Sequence, residues 1–495
     1  MSWHGAAKST ILAKGDTAER PGLFDPSFMA SLTPALPLLA ERGIKLAVNA
    51  GASDTEMLAK EVEKAIKLGG LEGKLKVAWI RGDEVLDVVN KLLKQGEKFE
   101  NLCFGGELKD WGFDPVAAQC YLGGAGIAEA LRQGADIVIC GRVADAAPTI
   151  GASMWWHGWN RDNDFDQIAD VVAVLEGIIM TQEGKDRVLV KGVKGKPPPT
   201  TTKVGITAHG GYQAEFHYLL VGLDLEQKAE WTENQVRASM GKNVDRFSCL
   251  KFTLNGYCPE DPRNQDVATV DFRVFVQTKD RSLVVKDSME VPGFNRWCLE
   301  NFLQSCPGAT IENDIRQSAG KEFFEYWAAL IPQKEVSHQV KLLWDEKAID
   351  IAPSPSVELY STRQWSYETK DPVPLSSFGQ TTRCPLGFRV LGRSGDKASD
   401  ANIGFFVRED DEWNWLRSFL TIEKIIQLLG PEYNGKLVER FEIPGIKAVH
   451  FLLHDHLDRS YNATSTYDGL GKNLCEYLRA KHVEMPNSFL RRGRI

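Results

Sequence analysis

Between residues 119 and 150 the chain alternates apolar runs with small or polar punctuation: QCYLGGAGIAEALRQGADIVICGRVADAAPTI. Ile127, Ala130 and Leu131 fall at i, i+3 and i+4 and predict a helix with one apolar face. Gly134 stands where a C′ glycine would close it. Asp136 leads into IVIC, a β-branched run with the pattern of a buried parallel strand. That strand opens into GRVAD, which sets Arg142 and Asp145 just past its carboxyl end, where open α/β sheets bind ligands. Gly123, Gly124 and Gly126 precede the helix, so either the backbone there can approach an anion at the helix N-terminus or the glycines only permit close helix–strand packing.

The same alternation runs upstream. It predicts a helix over residues 28–42 interrupted at Pro34 and Pro37, and strands at 44–48, 76–80 and 101–104. It also predicts amphipathic helices at 54–68, entered through a Ser53/Glu56 capping box, and at 83–95. Strands alternating with helices imply βαβ units and a Rossmann-like parallel sheet, with Gly51, Gly82, Gly105 and Gly141 along one edge. MWWHGW at 154–159 reads as a packed aromatic lid over that edge, and 161–170 as an exposed acidic segment. KGVKGKPPPTTTK at 191–203 marks a linker or extended edge segment.

Beyond it, a strand or hairpin at 203–221 broken at Gly210-Gly211, a helix at 225–240, strands at 247–254 and 269–278 and a helix at 294–305 give a βαββα order. Residues 345–384 are irregular and rich in Pro, Ser and Thr, which marks a second linker or a wrapping segment. A final ββαββα set follows: strands at 388–393 and 403–407 around a polar loop at 394–402, a helix at 413–429, strands at 437–443 and 448–453, and a helix at 469–482. The expected division is a Rossmann-like α/β domain at 1–190, an α+β unit at 203–345 and a ferredoxin-like α+β domain at 385–486.

Composition narrows the classes. The 495 residues are 43% apolar and 25% charged, as in soluble globular proteins. The net charge of −8 and the absence of basic runs, apart from the tail Arg491-Arg492-Gly493-Arg494, argue against nucleic acid. No apolar segment is long enough to span a bilayer, and residues 1–16 lack a signal-peptide core. Nine scattered cysteines without a C-x-x-C pair suggest reduced thiols and a cytoplasmic setting.

Three places carry candidate chemistry. Asp145 is a candidate base beside Arg142. His209, next to Gly210-Gly211, is a second acid–base candidate, against the alternative of a turn histidine bonded to backbone. SGDKASDAN gathers Asp396, Lys397, Asp400 and Asn402, a set able to orient a carbonyl or carboxylate. The glycines after Tyr121, Arg142 and the Asp396–Asn402 loop are expected to wall one cleft, with Arg142 facing Asp396 or Asp400 and Lys397 facing Asp145. His454, Asp455 and His456 form a histidine cluster, but no metal is expected. A dinucleotide reading rests on Gly124-Ala125-Gly126, weakened by Glu129 at the third glycine position, so no flavin, haem or NAD(P)H is expected. No G-x-S-x-G or H-E-x-x-H motif occurs.

The segments YLGGAGIAEALRQGADIVICGRVADAAPTIGASMWWHGW, VNAGASDTE, PPPTTTKVGITAHGGYQAEFHYLLVGL and GRSGDKASDANIGFFVR resemble the acyclic terpene utilisation AtuA family in its fungal form. The resemblance runs from about Pro34 to Pro486. It implies an N-terminal α/β domain, a C-terminal ferredoxin-like domain, and a place in catabolism of acyclic terpenoid alcohols and branched acids through CoA esters. It implies no mechanism. The chain departs from the family pattern at its start, which falls inside the usual first strand region. It departs again between Ala169 and Val171, where a block is missing, and at Ala398, where glycine is usual.

The resulting expectation is an enzyme of hydratase, dehydratase or isomerase type on a small carboxylate or acyl-CoA substrate, needing a base and an enolate-oxygen donor. A homo-oligomer without membrane or nucleic-acid partners is expected. The alternatives are a non-catalytic acyl-binding partner subunit and an NAD(P)-dependent oxidoreductase.

Overall fold

The computed structural model describes residues 22–159, 172–174, 177–284, 293–361, 363 and 365–494. The expected acidic segment at 161–170, the departure at 169–171 and the first sixteen residues lie outside them. The chain forms two compact units: residues 1–208, 326–461 and 468–495, and residues 209–325 with 462–467.

In the first unit, helix α1 (Pro26–Arg42) is continuous through Pro34 and Pro37, capped by Asp25 and closed by Gly43 in the left-handed region. It leads to β1 (Leu46–Val48), α2 (Thr55–Leu68), β2 (Val77–Arg81) and α3 (Leu86–Lys94). The expected capping box does not form. Asp54 is the N-cap residue, and the Ser53 hydroxyl turns instead to Gln119 Oε1 at 3.3 Å. Strand β3 (Pro115–Cys120), helix α4 (Ala125–Arg132), strand β4 (Ile137–Ile139) and helix α5 (Ala147–His157) follow.

The sheet is mixed, not a doubly wound parallel one. Its order is β1-β4-β2, all parallel, continued antiparallel by β14 (Gln339–Leu342) and β15 (Lys347–Asp350). Residues 101–104 are a turn rather than its fourth strand, because the Asn101 side chain accepts from the Cys103 and Phe104 amides. Val85, Ile127, Val138 and Val340 belong to one apolar cluster, and Leu58, Val62, Ile137 and Ile139 to another. The alternation Ile137, Val138, Ile139 therefore buries both sheet faces. MWWHGW is the end of α5, not a separate lid; Trp156 is 73% exposed and His157 stacks on Trp159.

Two ribbons follow: β5 (Val172–Val174) with β8 (Lys194–Lys196), and β6 (Ile179–Gly184) with β7 (Arg187–Lys191). Strand β9 (Thr201–Val221) runs unbroken for 21 residues. Its first part pairs antiparallel with β3 in the first unit, and its second part belongs to the other unit.

The second unit pairs β9 with β11 (Thr269–Thr278), and β11 with β10 (Cys249–Asn255). Helices α6 (Leu225–Met240) and α7 (Phe294–Leu299) cover this sheet, and Phe216, Phe272, Val274 and Trp297 fill the core. Short β12 (Ala309–Ile311) and β13 (Lys321–Pro332) also pair with β9. Gly211, at φ +129, explains the absence of a break in β9: a Cβ there would lie 2.4 Å from Thr278 O, so glycine lets the strands stay paired.

The last third of the first unit is a four-stranded antiparallel sheet in the order β17-β18-β20-β19. The strands are β17 (Leu391–Lys397), β18 (Asp400–Phe406), β19 (Val438–Ile443) and β20 (Ala448–Leu453). Helices α8 (Asp410–Phe419) and α9 (Ile422–Leu429) enclose a core of Phe405, Trp415, Phe451 and Phe489. They were expected as one helix, but Thr421 breaks it by capping α9 through the Lys424 amide. Strand β16 (Thr381–Pro385) pairs with β21 (His482–Pro486), while α10 (Leu474–Arg479) and α11 (Asn487–Leu490) close the chain. The expected loop at 394–402 is almost entirely hairpin: Lys397 pairs with Asp400, and only Ala398 and Ser399 turn. No helix among the described residues is long and apolar enough to cross a membrane.

Candidate functional site at the strand ends

Because β1, β4 and β2 are parallel, their carboxyl ends share one edge, and each is followed by a glycine that the packing requires. A Cβ on Gly51 would lie 2.6 Å from Cys140 O. One on Gly141 would lie 2.5 Å from both Asp83 Oδ2 and Thr55 Oγ1. Gly82 sits at φ +122 with its Cβ position 2.2 Å from Ser337 O. The chain thus closes around the carboxyl group of Asp83, which is 5% exposed.

Asp83 Oδ2 accepts hydrogen bonds from the Arg142 amide at 2.8 Å and from Gln119 Nε2 at 3.2 Å. Burial pushes the Asp83 carboxyl up to about 6, and the charge of Glu84 adds to the rise while the hydrogen bonds oppose it. The group opens onto a cleft of about 890 Å³. Thr55, Met57, Trp79, Leu86 and Gln119 are among its walls, and Asp54, Glu56, Lys60, Arg81, Glu84 and Asp87 supply its charges. A buried acid near neutrality beside an apolar wall can hold or release a proton during turnover.

Arg142 therefore reaches this edge through its backbone. Its guanidinium lies 4.0 Å from the Tyr121 ring centroid and hydrogen-bonds the Tyr121 hydroxyl. The Tyr121 hydroxyl in turn meets that of half-buried Tyr326, whose acidity is weakened first by desolvation and then by Tyr121, and is also affected by Arg142 and Cys103. Cys103 Sγ lies 3.5 Å from Lys397 O, and His454 Nδ1 lies 3.2 Å from Cys103 O. His454 sits between two carboxylates, with Nε2 2.7 Å from Glu439 Oε2 and Nδ1 3.6 Å from Asp400 Oδ2. Burial raises both the Asp400 carboxyl and the Cys103 thiol. Polar contacts thus run from Arg142 through Tyr121 to Tyr326, and a second set joins Cys103 to His454 and the β17–β18 hairpin.

The other candidates lie apart from it. Asp145 is exposed. Lys397 Nζ donates to Asp396 O rather than reaching Asp145. Asp396 pairs with Ala401, and Asn402 with Gly395, inside the hairpin ladder. Gly124 and Gly126 serve helix packing: their Cβ positions fall 2.7 Å from Gly151 N and 2.4 Å from His338 Nε2. Gly123 lines a smaller cavity of about 270 Å³ with Tyr121, Thr201 and Thr202. His209 belongs to the second unit, 3.8 Å from Glu322 and against the rings of Tyr212 and Phe324.

His454 follows the end of β20, so it does not share a strand face with His456. No group of three or more His, Cys, Asp or Glu among the described residues has metal-holding geometry. Sequence reasoning passed over Asp83 and Gln119. Arg81-Gly82-Asp83 did register as a strand end, and an acid directly after a strand-end glycine was the available signal.

Two family models match the sequence. Acyclic terpene utilisation family protein AtuA matches residues 1–170 and 167–342, and the AtuA ferredoxin-like domain matches residues 385–484. No curated protein and no solved structure matches.

Proposed function

The chain belongs to the acyclic terpene utilisation AtuA family, and from that premise we propose an enzyme of hydratase, dehydratase or isomerase type acting on a branched acyclic acyl compound, with Asp83 as the proton carrier. Asp83 takes the role first given to Asp145 because it is buried while Asp145 is exposed. The observation that carries the reading is a buried carboxyl with its pKa about 6 at the floor of a large strand-end cleft. Near neutral pH such a group is populated in both forms, which suits removal and return of a carbon-bound proton.

The Arg142 amide and Gln119 hold the carboxyl in one orientation. Thr55, which lines the cleft across Gly141 from Asp83, is the neutral hydroxyl placed to donate to a developing enolate oxygen. Met57, Trp79 and Leu86 offer the apolar surface for a branched chain. Nine free cysteines support a reducing, cytoplasmic setting.

The test is solvent deuterium incorporation at the α-carbon of a branched acyl thioester, followed by mass spectrometry. Asp83→Asn is expected to slow exchange by about a hundredfold or more while retaining the fold, and Asp145→Asn to leave it within about threefold. Full exchange by Asp83→Asn would refute the assignment.

A further inference from the structure

The charges of the strand-end cleft bear on a question the proton carrier leaves open: whether the substrate enters as a free acid. Among the described residues, Asp54, Glu56, Asp83, Glu84 and Asp87 line it against two cations, Lys60 and Arg81. Lys60 is already engaged, with Nζ 2.6 Å from Glu56 Oε1. Arg81 is exposed on the last residue of β2. The buried carboxyl group of Asp83 accepts from an amide and from Gln119 rather than from a cation. The uncharged part of the wall mixes apolar Met57, Trp79, Val85, Leu86, Ala117 and Ala118 with the neutral polar groups of Thr55, Gln119, Ser337 and Gln339.

A carboxylate placed beside Asp83 would be partly desolvated and meet a lining of net negative charge, in which Lys60 is already paired and Arg81 sits at the exposed end of its strand. Its presence would also favour protonation of Asp83 and so remove the base. We infer that this cleft takes its substrate with an uncharged end group, an alcohol, ester or thioester, and excludes the corresponding free carboxylate. The inference rests on Asp83 marking the substrate site. It replaces the anionic-ligand cleft expected at this edge from sequence. A free acid would reach the site only after conversion to an ester or thioester, and an alcohol would have to be used before oxidation to the acid.

The experiment is equilibrium titration of the full chain with three probes of one branched acyclic skeleton: the alcohol, the carboxylate, and the N-acetylcysteamine thioester. At pH 7.5 and low salt the alcohol or the thioester is expected to bind at least about tenfold more tightly than the carboxylate. Which neutral probe binds identifies the functional group. Added salt and Glu84→Gln are each expected to narrow the gap, by about threefold, through better carboxylate binding. A carboxylate that binds as tightly as both neutral probes overturns the inference, as does a gap indifferent to both salt and Glu84→Gln.

The two failures are separable. Equal binding of all probes together with loss of deuterium exchange in Asp83→Asn sinks the charge selection and leaves the proton carrier. Selective binding of a neutral probe with exchange intact in Asp83→Asn does the reverse.

Discussion

At the scale of single residues, Asp83 sets the pH behaviour. Its carboxyl titrates near 6 when folded against 3.8 for the unperturbed group, because burial penalises the charged form. A carboxyl raised on folding stabilises fully below its unfolded pKa, and that contribution is lost as pH rises through the folded pKa. Wild-type stability should therefore fall between about pH 4 and pH 6 by roughly 3 kcal/mol from this group alone. Asp83→Asn is expected to flatten that part of the profile in urea titrations across the range. An unchanged slope would mean that the carboxyl is not held neutral. Ala398 is a second residue-scale case. It turns the β17–β18 hairpin at φ +60, where a Cβ is strained, at a position where the family resemblance implies glycine. Ala398→Gly is expected to raise stability by about 1 kcal/mol, read from the urea midpoint.

Between elements, the glycines before α4 are where the sequence admitted two readings, ligand approach or close packing. Gly124 and Gly151 oppose each other between α4 and α5, with each Cβ position under 3.0 Å from the other's backbone. Gly124→Ala must therefore push two helices apart and is expected to cost about 1–3 kcal/mol. Circular-dichroism melts together with the probe titrations separate the readings. Weaker ligand binding without lost stability would restore the ligand role.

A different device holds the terminal sheet. Arg389 and Glu412 form an ion pair, with side chains 6% and 1% exposed. Glu412→Gln leaves the buried guanidinium without its charge partner, and a loss of roughly 3–5 kcal/mol is expected by urea denaturation. Neither the pair nor the Thr421 cap was visible from periodicity, because a 3.6-residue pattern passes over a two-residue break, Leu420 and Thr421, between two helices that pack into one core.

Across the whole molecule, the segment at 345–384, for which the Pro, Ser and Thr content suggests a second linker or a wrapping segment, is bonded to the rest of the chain at several points. Residues 347–350 are β15 at the edge of the mixed sheet. Tyr367 is bonded through its amide to Arg440 O and receives the Arg440 Nη1 bond on its own carbonyl. Arg440 is fully buried on β19 and also reaches Leu420 O and Glu442. Limited proteolysis should therefore spare Tyr367 in the wild type and cut there in Arg440→Ala; early cutting of the wild type would show that this strap does not hold.

What the sequence determined by itself is what short-range periodicity and local chemistry encode. The helix before Gly134, the buried IVI strand, the glycine-bearing strand ends and the ββαββα order near the C-terminus were legible, because each depends on residues within one turn or one strand. The family was legible for the same reason, being carried by continuous motifs. Tertiary structure alone decided the mixed sheet, since β14 pairs with β2 across more than two hundred residues and no local pattern records a partner. It alone turned Gly124 and Gly126 into packing positions, and it alone made Asp83 the buried acid. Burial, unlike periodicity, is the property of every chain segment that closes around a group, and the segments around Asp83 come from the ends of three strands and the side chain of Gln119 on a fourth.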